Sequence, residues 1–325
     1  MSIQPPAFPE TTRPSYDPGF TQKYNGTIKR TINKDGAFNV KRAGRTWRDI
    51  HPYMYLINTS WPTFGVIVTS VFSLVNIGFA LLYWAAGVDN IKGAAGDTPL
   101  LVFLNLFFFS WHTLTTVGYG NMYPQGVAAN AIASLEALLG LMAFAVATGL
   151  MFGRFSRPTA RFGFSERAVI APYRNGLSLQ FRVVNRRANN LIEVDARVTL
   201  MTVELVNGKA ERRFTPLDLE RTNILFFPLT WTVVHPIIET SPLWGKSKED
   251  LARLQAEVII MIRGFDDTFG QIVHAKYSYR YDEILWGAKF AAAFEIDPEG
   301  DLLLWVDKVG VTEPAALPSP AESSA

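Results

Sequence analysis

Between Trp61 and Gly153 the chain carries only four charged side chains, Asp89, Lys92, Asp97 and Glu136. Phe64 to Ala86 runs for 23 residues without a charge. A helix needs about 20 such residues to cross the hydrocarbon core of a bilayer. Trp61 and the pair Tyr83-Trp84 mark its ends, where interfacial aromatics belong. Val127 to Phe152 is a second long apolar run, broken only by Glu136 and followed by Arg154, Arg157 and Arg161. These runs predict spans over residues 64–86 and 127–153. Leu100 to Phe109 is equally apolar but only ten residues long, too short to span, and suits a re-entrant helix over residues 100–114.

Charge sets the expected orientation. Nine Lys/Arg lie between Arg13 and Arg48, and only Lys92 lies between the spans. The positive-inside rule places both termini in the cytoplasm of a plasma membrane. Composition excludes other classes. Lys+Arg number 31 and Asp+Glu 29, and a net charge of +2 argues against nucleic-acid binding. No cysteine is present, which removes disulfide scaffolds, thiolate nucleophiles and Cys-based zinc sites. The histidines His51, His112, His235 and His274 are scattered, and no HExxH, P-loop or Ser-nucleophile motif occurs, so an enzyme is not expected.

Backbone at membrane depth must be hydrogen-bonded or must line a wet cavity. Gly118, Gly120 and Pro124 stop residues 113–124 from being helical throughout. The segment reads Thr115-Thr116-Val117-Gly118-Tyr119-Gly120. Its glycines permit torsions that other residues avoid, so carbonyls can point one way along the strand. Four such strands around an axis replace the water shell of K+ with rings of oxygen, as TVGYG does in potassium channels. The side chains of Val117 and Tyr119 then face outward, packing the strand on its pore helix, and the Thr116 hydroxyl adds the innermost ring. K+ is the permeant ligand, and no organic cofactor is expected. One chain supplies one strand, so the expected assembly is a homotetramer. No span has Arg or Lys at every third residue, so no voltage sensor is expected.

Two spans, TVGYG and a β-rich second half resemble the inward-rectifier potassium channels, specifically their bacterial (KirBac-type) branch. The resemblance covers residues 45–309. It is supported by Trp47-Arg48-Asp49, Arg154-Phe155-Ser156-Arg157-Pro158, Ser241-Pro242-Leu243-Trp244-Gly245 and Gly264-Phe265-Asp266-Asp267-Thr268-Phe269-Gly270. It implies a membrane α-helical two-span pore domain with a re-entrant pore helix, followed by a cytoplasmic immunoglobulin-like β-sandwich. It implies an interfacial slide helix before the first span. Residues 47–58 fit, with Trp47, Ile50, Tyr53, Met54 and Ile57 at helical spacing and Pro52 expected to kink the helix. It also implies hinges at Gly140 and Gly149, a rectification position at Phe144 and a bundle gate at Phe152. Phe144 departs from the acidic residue that strong rectifiers use to hold Mg2+ or a polyamine, so only weak rectification is expected. Positions 140, 144, 148 and 152 share one helix face, which favours pore lining.

Two residues leave alternatives open. Glu136, the acid within a span, either attracts cations into the cavity or is buried and bonded to the pore helix. His112, three residues before Thr115, stands where related channels have a carboxylate bracing the filter. It either donates a bond to filter backbone or senses pH. The resemblance also implies that the loop between Gly264 and Gly270 narrows the cytoplasmic pore through Phe265, with Asp266 or Asp267 concentrating cations. Arg45, Arg48, Arg154, Arg157 and Arg161 are the expected contacts for anionic lipid headgroups.

From Arg167 short alternating segments read as a β-sandwich. Asn175-Gly176 and Asn207-Gly208 are hairpin signals, and Asp297-Pro298-Glu299-Gly300 marks another turn. Ser247 with Asp250 predicts the cap of a short helix ending near Leu254. The expected divisions are a mostly disordered cytoplasmic N-terminus over 1–44, the slide helix over 45–60 and the pore domain over 61–157. The sandwich follows over 158–311, then a Pro/Ala/Ser-rich disordered tail over 312–325.

Overall fold

A computed structural model describes residues 16–24, 26, 29–44, 46, 49, 51–156 and 161–318. The chain divides into two units, residues 42–157 and residues 1–41 with 158–325.

Among the described residues the membrane unit has four α-helices, the first three started by a residue suited to that job. Helix α1 (Pro52–Asn58) begins with Pro52 at its first position. Proline has no N–H to lose there and its fixed φ suits the first turn. The expected kink at Pro52 is therefore a helix start instead; Trp47, Arg48 and Ile50 lie outside the described residues. Helix α2 (Trp61–Ala86) is capped by Ser60, whose Oγ accepts the Thr63 N–H at 3.3 Å. Helix α3 (Pro99–Leu114) is capped by Thr98, which accepts the Leu101 N–H at 3.2 Å. Helix α4 (Gly126–Phe155) has 30 residues. At 1.5 Å per residue this reaches about 45 Å, longer than the roughly 30 Å hydrocarbon core. Both α2 and α4 are long and apolar enough to cross a membrane, whereas α3 is not. Phe79, Ala80 and Tyr83 of α2, Leu106 and Phe109 of α3, and Ala129 of α4 form their common core. The chain entering and leaving α3 is clasped by a two-residue ladder, β1 (Ile91–Lys92) against β2 (Tyr123–Pro124).

The second unit is a sandwich of two five-stranded sheets. One orders β11 (Gln271–Arg280), β10 (Glu257–Asp266), β6 (Leu191–Val206) and β7 (Lys209–Pro216), with β8 (Asn223–Phe226) also on β6. The other orders β12 (Ile284–Trp286), β4 (Ala168–Tyr173), β5 (Gly176–Asn185) and β3 (Phe162–Phe164), with β9 (Thr230–Ile237) also on β5. Alternate residues of both sheets, such as Phe181, Val183, Val194, Ala196, Val198, Val258, Ile260 and Ile262, meet in one core. Burying this apolar face holds the sheets together. Two small ladders complete the unit, β13 (Ala288–Phe290) on β16 (Thr312–Pro314) and β14 (Phe294–Ile296) on β15 (Leu302–Leu304). Helix α5 (Lys248–Arg253) carries the Ser247/Asp250 capping box.

Asn207 and Gly208, with φ of 52° and 72°, make the two-residue turn from β6 to β7. The hairpin expected at Asn175-Gly176 turns one residue earlier. Arg174 takes φ of 52°, and Gly176 already pairs with Tyr173.

Two divisions need correction. Residues 312–314 were expected in a disordered tail but form β16, because β13 offers them an open edge. The described part of 1–44 is likewise placed. Tyr16 N–H bonds the Phe214 carbonyl at 2.9 Å, and Arg212 N–H bonds the Gln22 carbonyl at 2.7 Å. Ile32 is buried among Met201, Val203, Phe214 and Ile259. The Glu257 carboxylate takes the Thr31 N–H at 2.9 Å and the Thr31 hydroxyl at 2.7 Å. Arg30 and Lys34 both pair with Glu283. The five prolines of the first 19 residues dominate the composition, but the apolar and charged groups that anchor the segment follow them.

Glu283 gives this docking a pH dependence. Burial alone raises its pKa, but the Arg280 N–H, Lys34 and the charge of Arg30 outweigh that and hold it below the usual value. A depressed folded pKa means stability that is complete above the unfolded pKa, about 4.3 for Glu, and lost as pH falls through the folded one. Protection of the residue 29–34 amides, measured against their intrinsic exchange rates, should therefore fall on acidification below about pH 4, and Glu283→Gln should already show reduced protection at neutral pH.

Candidate functional site

The site is the strand that follows α3. The last turn of α3 hands its carbonyls to it. Thr116 N–H bonds the Thr113 carbonyl at 3.0 Å, and Val117 N–H bonds the His112 carbonyl at 2.9 Å. Thr115 closes the helix, its hydroxyl donating to the Trp111 carbonyl at 2.7 Å. Beyond it, Thr116, Gly118 and Gly120 have φ of 59°, 55° and 81°, while Val117 and Tyr119 keep negative φ. Alternating handedness turns successive carbonyls to the same side, the arrangement a row of ion ligands needs. The glycines were expected to allow this. Thr116 was not expected at positive φ, a torsion that costs a non-glycine residue about 1–2 kcal/mol. Its place two residues before Gly118 is the signal that could have shown it.

The ring of Tyr119 stands edge-on to His112, 4.8 Å between centroids at 88°. His112 thus supports the strand twice, by ring contact and by its carbonyl. Val117 is exposed in the single chain.

Behind this strand lies a buried polar group. Glu136 of α4 is fully buried and hydrogen-bonds Ser110 of α3. Tyr83 of α2 donates to the Glu136 carboxyl at 2.5 Å, and Ser110 lies 3.0 Å from the Asn76 amide oxygen. Of the two alternatives for Glu136, the buried one holds; its expected role as a cavity or rectification residue is corrected. Desolvated acids need partners, and Tyr83 and Ser110 of the neighbouring helices supply them, with Asn76 bonded in turn to Ser110. Asn76 and Tyr83 were missed. Their seven-residue spacing, two turns on one face of α2, was the available signal.

One turn along α4, Gly140 is buried against the end of α3. A Cβ there would collide with the carbonyl of Leu114. Gly149 has no heavy atom within 4 Å of such a Cβ. Further along, Phe144 and Phe152 are 74% and 72% exposed in the single chain.

Of the five arginines expected at lipid, Arg45, Arg48 and Arg157 lie outside the described residues. Arg161 is exposed. Arg154 is not free for a headgroup. It donates to the carbonyls of Leu56, of Ile57 at 3.2 Å and of Thr59 at 2.9 Å. Its guanidinium lies 4.4 Å from the Trp61 ring centre and 4.5 Å from that of Phe64. A cation bonded to the last carbonyls of α1 and stacked on aromatics ties α1 and α2 to α4.

The glycine-bounded loop is shorter than expected. Gly264, Phe265 and Asp266 belong to β10, and the turn is residues 267–270, closed by Gly270 at φ 61°. Strand pairing continues because Phe265 finds Ile272 and Asp266 finds Gln271. Asp266 is buried and accepts from Asn189 at 2.8 Å and from Thr268 N–H at 3.0 Å. It braces the turn, which leaves Asp267 as the exposed acid.

Two helices long and apolar enough to span, a shorter apolar helix followed by TVGYG with alternating torsions, and a separate β-sandwich unit are together the parts of a potassium-channel subunit. Comparison with known proteins agrees. Residues 70–157 match the "Ion channel" family model, and residues 162–323 match the "Inward rectifier potassium channel C-terminal domain" model. The chain is 39% identical to the inward rectifier potassium channel Kirbac3.1 of Paramagnetospirillum magnetotacticum, over 83% of this chain and 91% of that one. It is 27% identical to the human G protein-activated inward rectifier potassium channel 3, over 91% of this chain and 80% of that one. The chain belongs to the inward-rectifier potassium channels, as a member of their bacterial branch.

Proposed function

We propose that four copies of this chain form a passive K+ pore in a bacterial plasma membrane, with both termini cytoplasmic. The alternating left-handed torsions at Thr116, Gly118 and Gly120 carry this reading. One strand supplies one side of each oxygen ring, so the ring closes only with symmetric copies. The excess of Lys/Arg before α2 supports the orientation. Purified protein in liposomes should take up K+ along its gradient, and barium should block the uptake. Uptake that is equal for Na+ and K+ would defeat the reading.

Phe144 puts an apolar group where a cation-holding acid is needed, so block by intracellular Mg2+ or polyamines is weak. Phe152 forms the gate. It sits near the cytoplasmic end of α4, and four aromatic rings offer a hydrated ion no replacement for its water. Exposure of its ring in a single chain supports a place where copies converge. Asp267 and Phe265 contribute a second, cytoplasmic constriction. Arg161, with Arg45, Arg48 and Arg157, meets anionic lipid, at about 1 kcal/mol per basic residue near the surface. Phe152→Ala should raise basal K+ uptake without changing K+ over Na+ preference, since the filter is untouched. Unchanged uptake would move the gate to Phe265 or to the filter.

A further inference from the structure

The polar group behind the filter has more contacts than hydroxyl protons. Asn76 donates through Nδ2 to the Phe72 carbonyl at 2.7 Å, which turns its Oδ1 toward Ser110. Reversing the amide would set its oxygen against that carbonyl, so the orientation is fixed by its partners. Ser110 has one proton, and the Asn76 oxygen, an acceptor, requires it. Yet Ser110 also hydrogen-bonds Oε1 of Glu136. Tyr83 gives its single proton to Oε2 of Glu136. Three contacts thus share two hydroxyl protons, and the third proton must belong to Glu136. No Lys or Arg forms an ion pair with Glu136 among the described residues. An unpaired carboxylate would be costly at this depth.

We infer that Glu136 is held as the neutral carboxylic acid, donates its proton to Ser110, and by that bond fixes the pore helix that carries the filter. Glu136 is a positioning residue. Its bond to Ser110 and the Gly140–Leu114 contact are each four residues apart on α4 and on α3, so two successive turns of the helices are keyed together. His112, which supports Val117 and Tyr119, lies between Ser110 and Leu114. This inference rests on the channel reading above.

Glutamine reproduces the neutral acid: its carbonyl accepts from Tyr83 and its amide donates to Ser110. Alanine reproduces neither. Full-length wild type, Glu136→Gln and Glu136→Ala are reconstituted in liposomes, and K+ uptake, K+ over Na+ preference and barium block are measured alongside gel filtration. Glu136→Gln should keep all of these within about twofold. Glu136→Ala should remain tetrameric but weaken barium block about tenfold, the equivalent of one lost hydrogen bond of about 1.4 kcal/mol. The infrared spectrum of wild type at neutral pH should show a carboxylic-acid C=O band that Glu136→Gln lacks, whether or not Glu136→Ala folds. Absence of that band overturns the inference, as does loss of K+ preference in Glu136→Gln. A wild type with the band but no K+ uptake would instead defeat the channel reading alone.

Discussion

Replacing Gly118 with alanine should abolish K+ uptake while the tetramer still assembles. The structure makes the reason specific. A Cβ at Gly118 meets no heavy atom within 4 Å in its own chain, so space is not the obstacle. Torsion is. Gly118 has φ of 55°, where an L residue is strained by about 1–2 kcal/mol. Four copies act on one ring, so the conducting arrangement loses about 4–8 kcal/mol relative to any filter that relaxes the torsion. Each 1.4 kcal/mol is about tenfold, so the conducting population falls by a thousandfold or more. The core that holds α2, α3 and α4 together within the chain does not include Gly118, so the fold of the subunit is left intact. Uptake at wild-type rates in an assembled Gly118→Ala tetramer would remove Gly118 from the filter.

The apolar runs, their lengths and the TVGYG glycines made the membrane unit legible, because bilayer thickness and backbone torsion leave few options. Hairpins at Asn207-Gly208 and near Gly300 were readable for the same local reason. What escaped was set by partners distant in sequence. Arg154 reads as one more basic residue in a cluster, and only folding brings the carbonyls of Leu56, Ile57 and Thr59 to it. Asp266 reads as an exposed loop acid until Asn189 arrives from β6's leading turn to bury it. The N-terminal segment is misjudged from its prolines because its anchors, Glu257 and Glu283, lie more than 200 residues away. Glu136 was legible as important, but its partners come from two other helices, α2 and α3, and no local pattern in α4 names them.

The two glycines of α4 look alike in the sequence and should behave differently. A methyl at Gly140 would lie 2.9 Å from the Leu114 carbonyl carbon and 3.2 Å from its Cα, besides colliding with the carbonyl oxygen. All three are backbone atoms and cannot swing aside. Overpacking of this kind costs about 1–3 kcal/mol where the structure can shift. The shift falls on Leu114, the residue before Thr115, so the filter moves with it. Gly140→Ala should therefore reduce K+ uptake at least tenfold and loosen K+ over Na+ preference, a filter defect arising in the inner helix; tenfold is about 1.4 kcal/mol, inside the range expected for overpacking. Gly149→Ala meets open space and gains about 1 kcal/mol of helix propensity. It should leave preference and assembly intact and act on open probability alone, by stiffening α4 between Phe144 and Phe152. Single-channel recording separates the outcomes. If Gly140→Ala changes opening but not preference, then Gly140 acts as a hinge and its contact with Leu114 yields during gating. If Gly149→Ala leaves opening unchanged, α4 moves as a rigid rod and the bend lies at Gly140 or not in this helix at all.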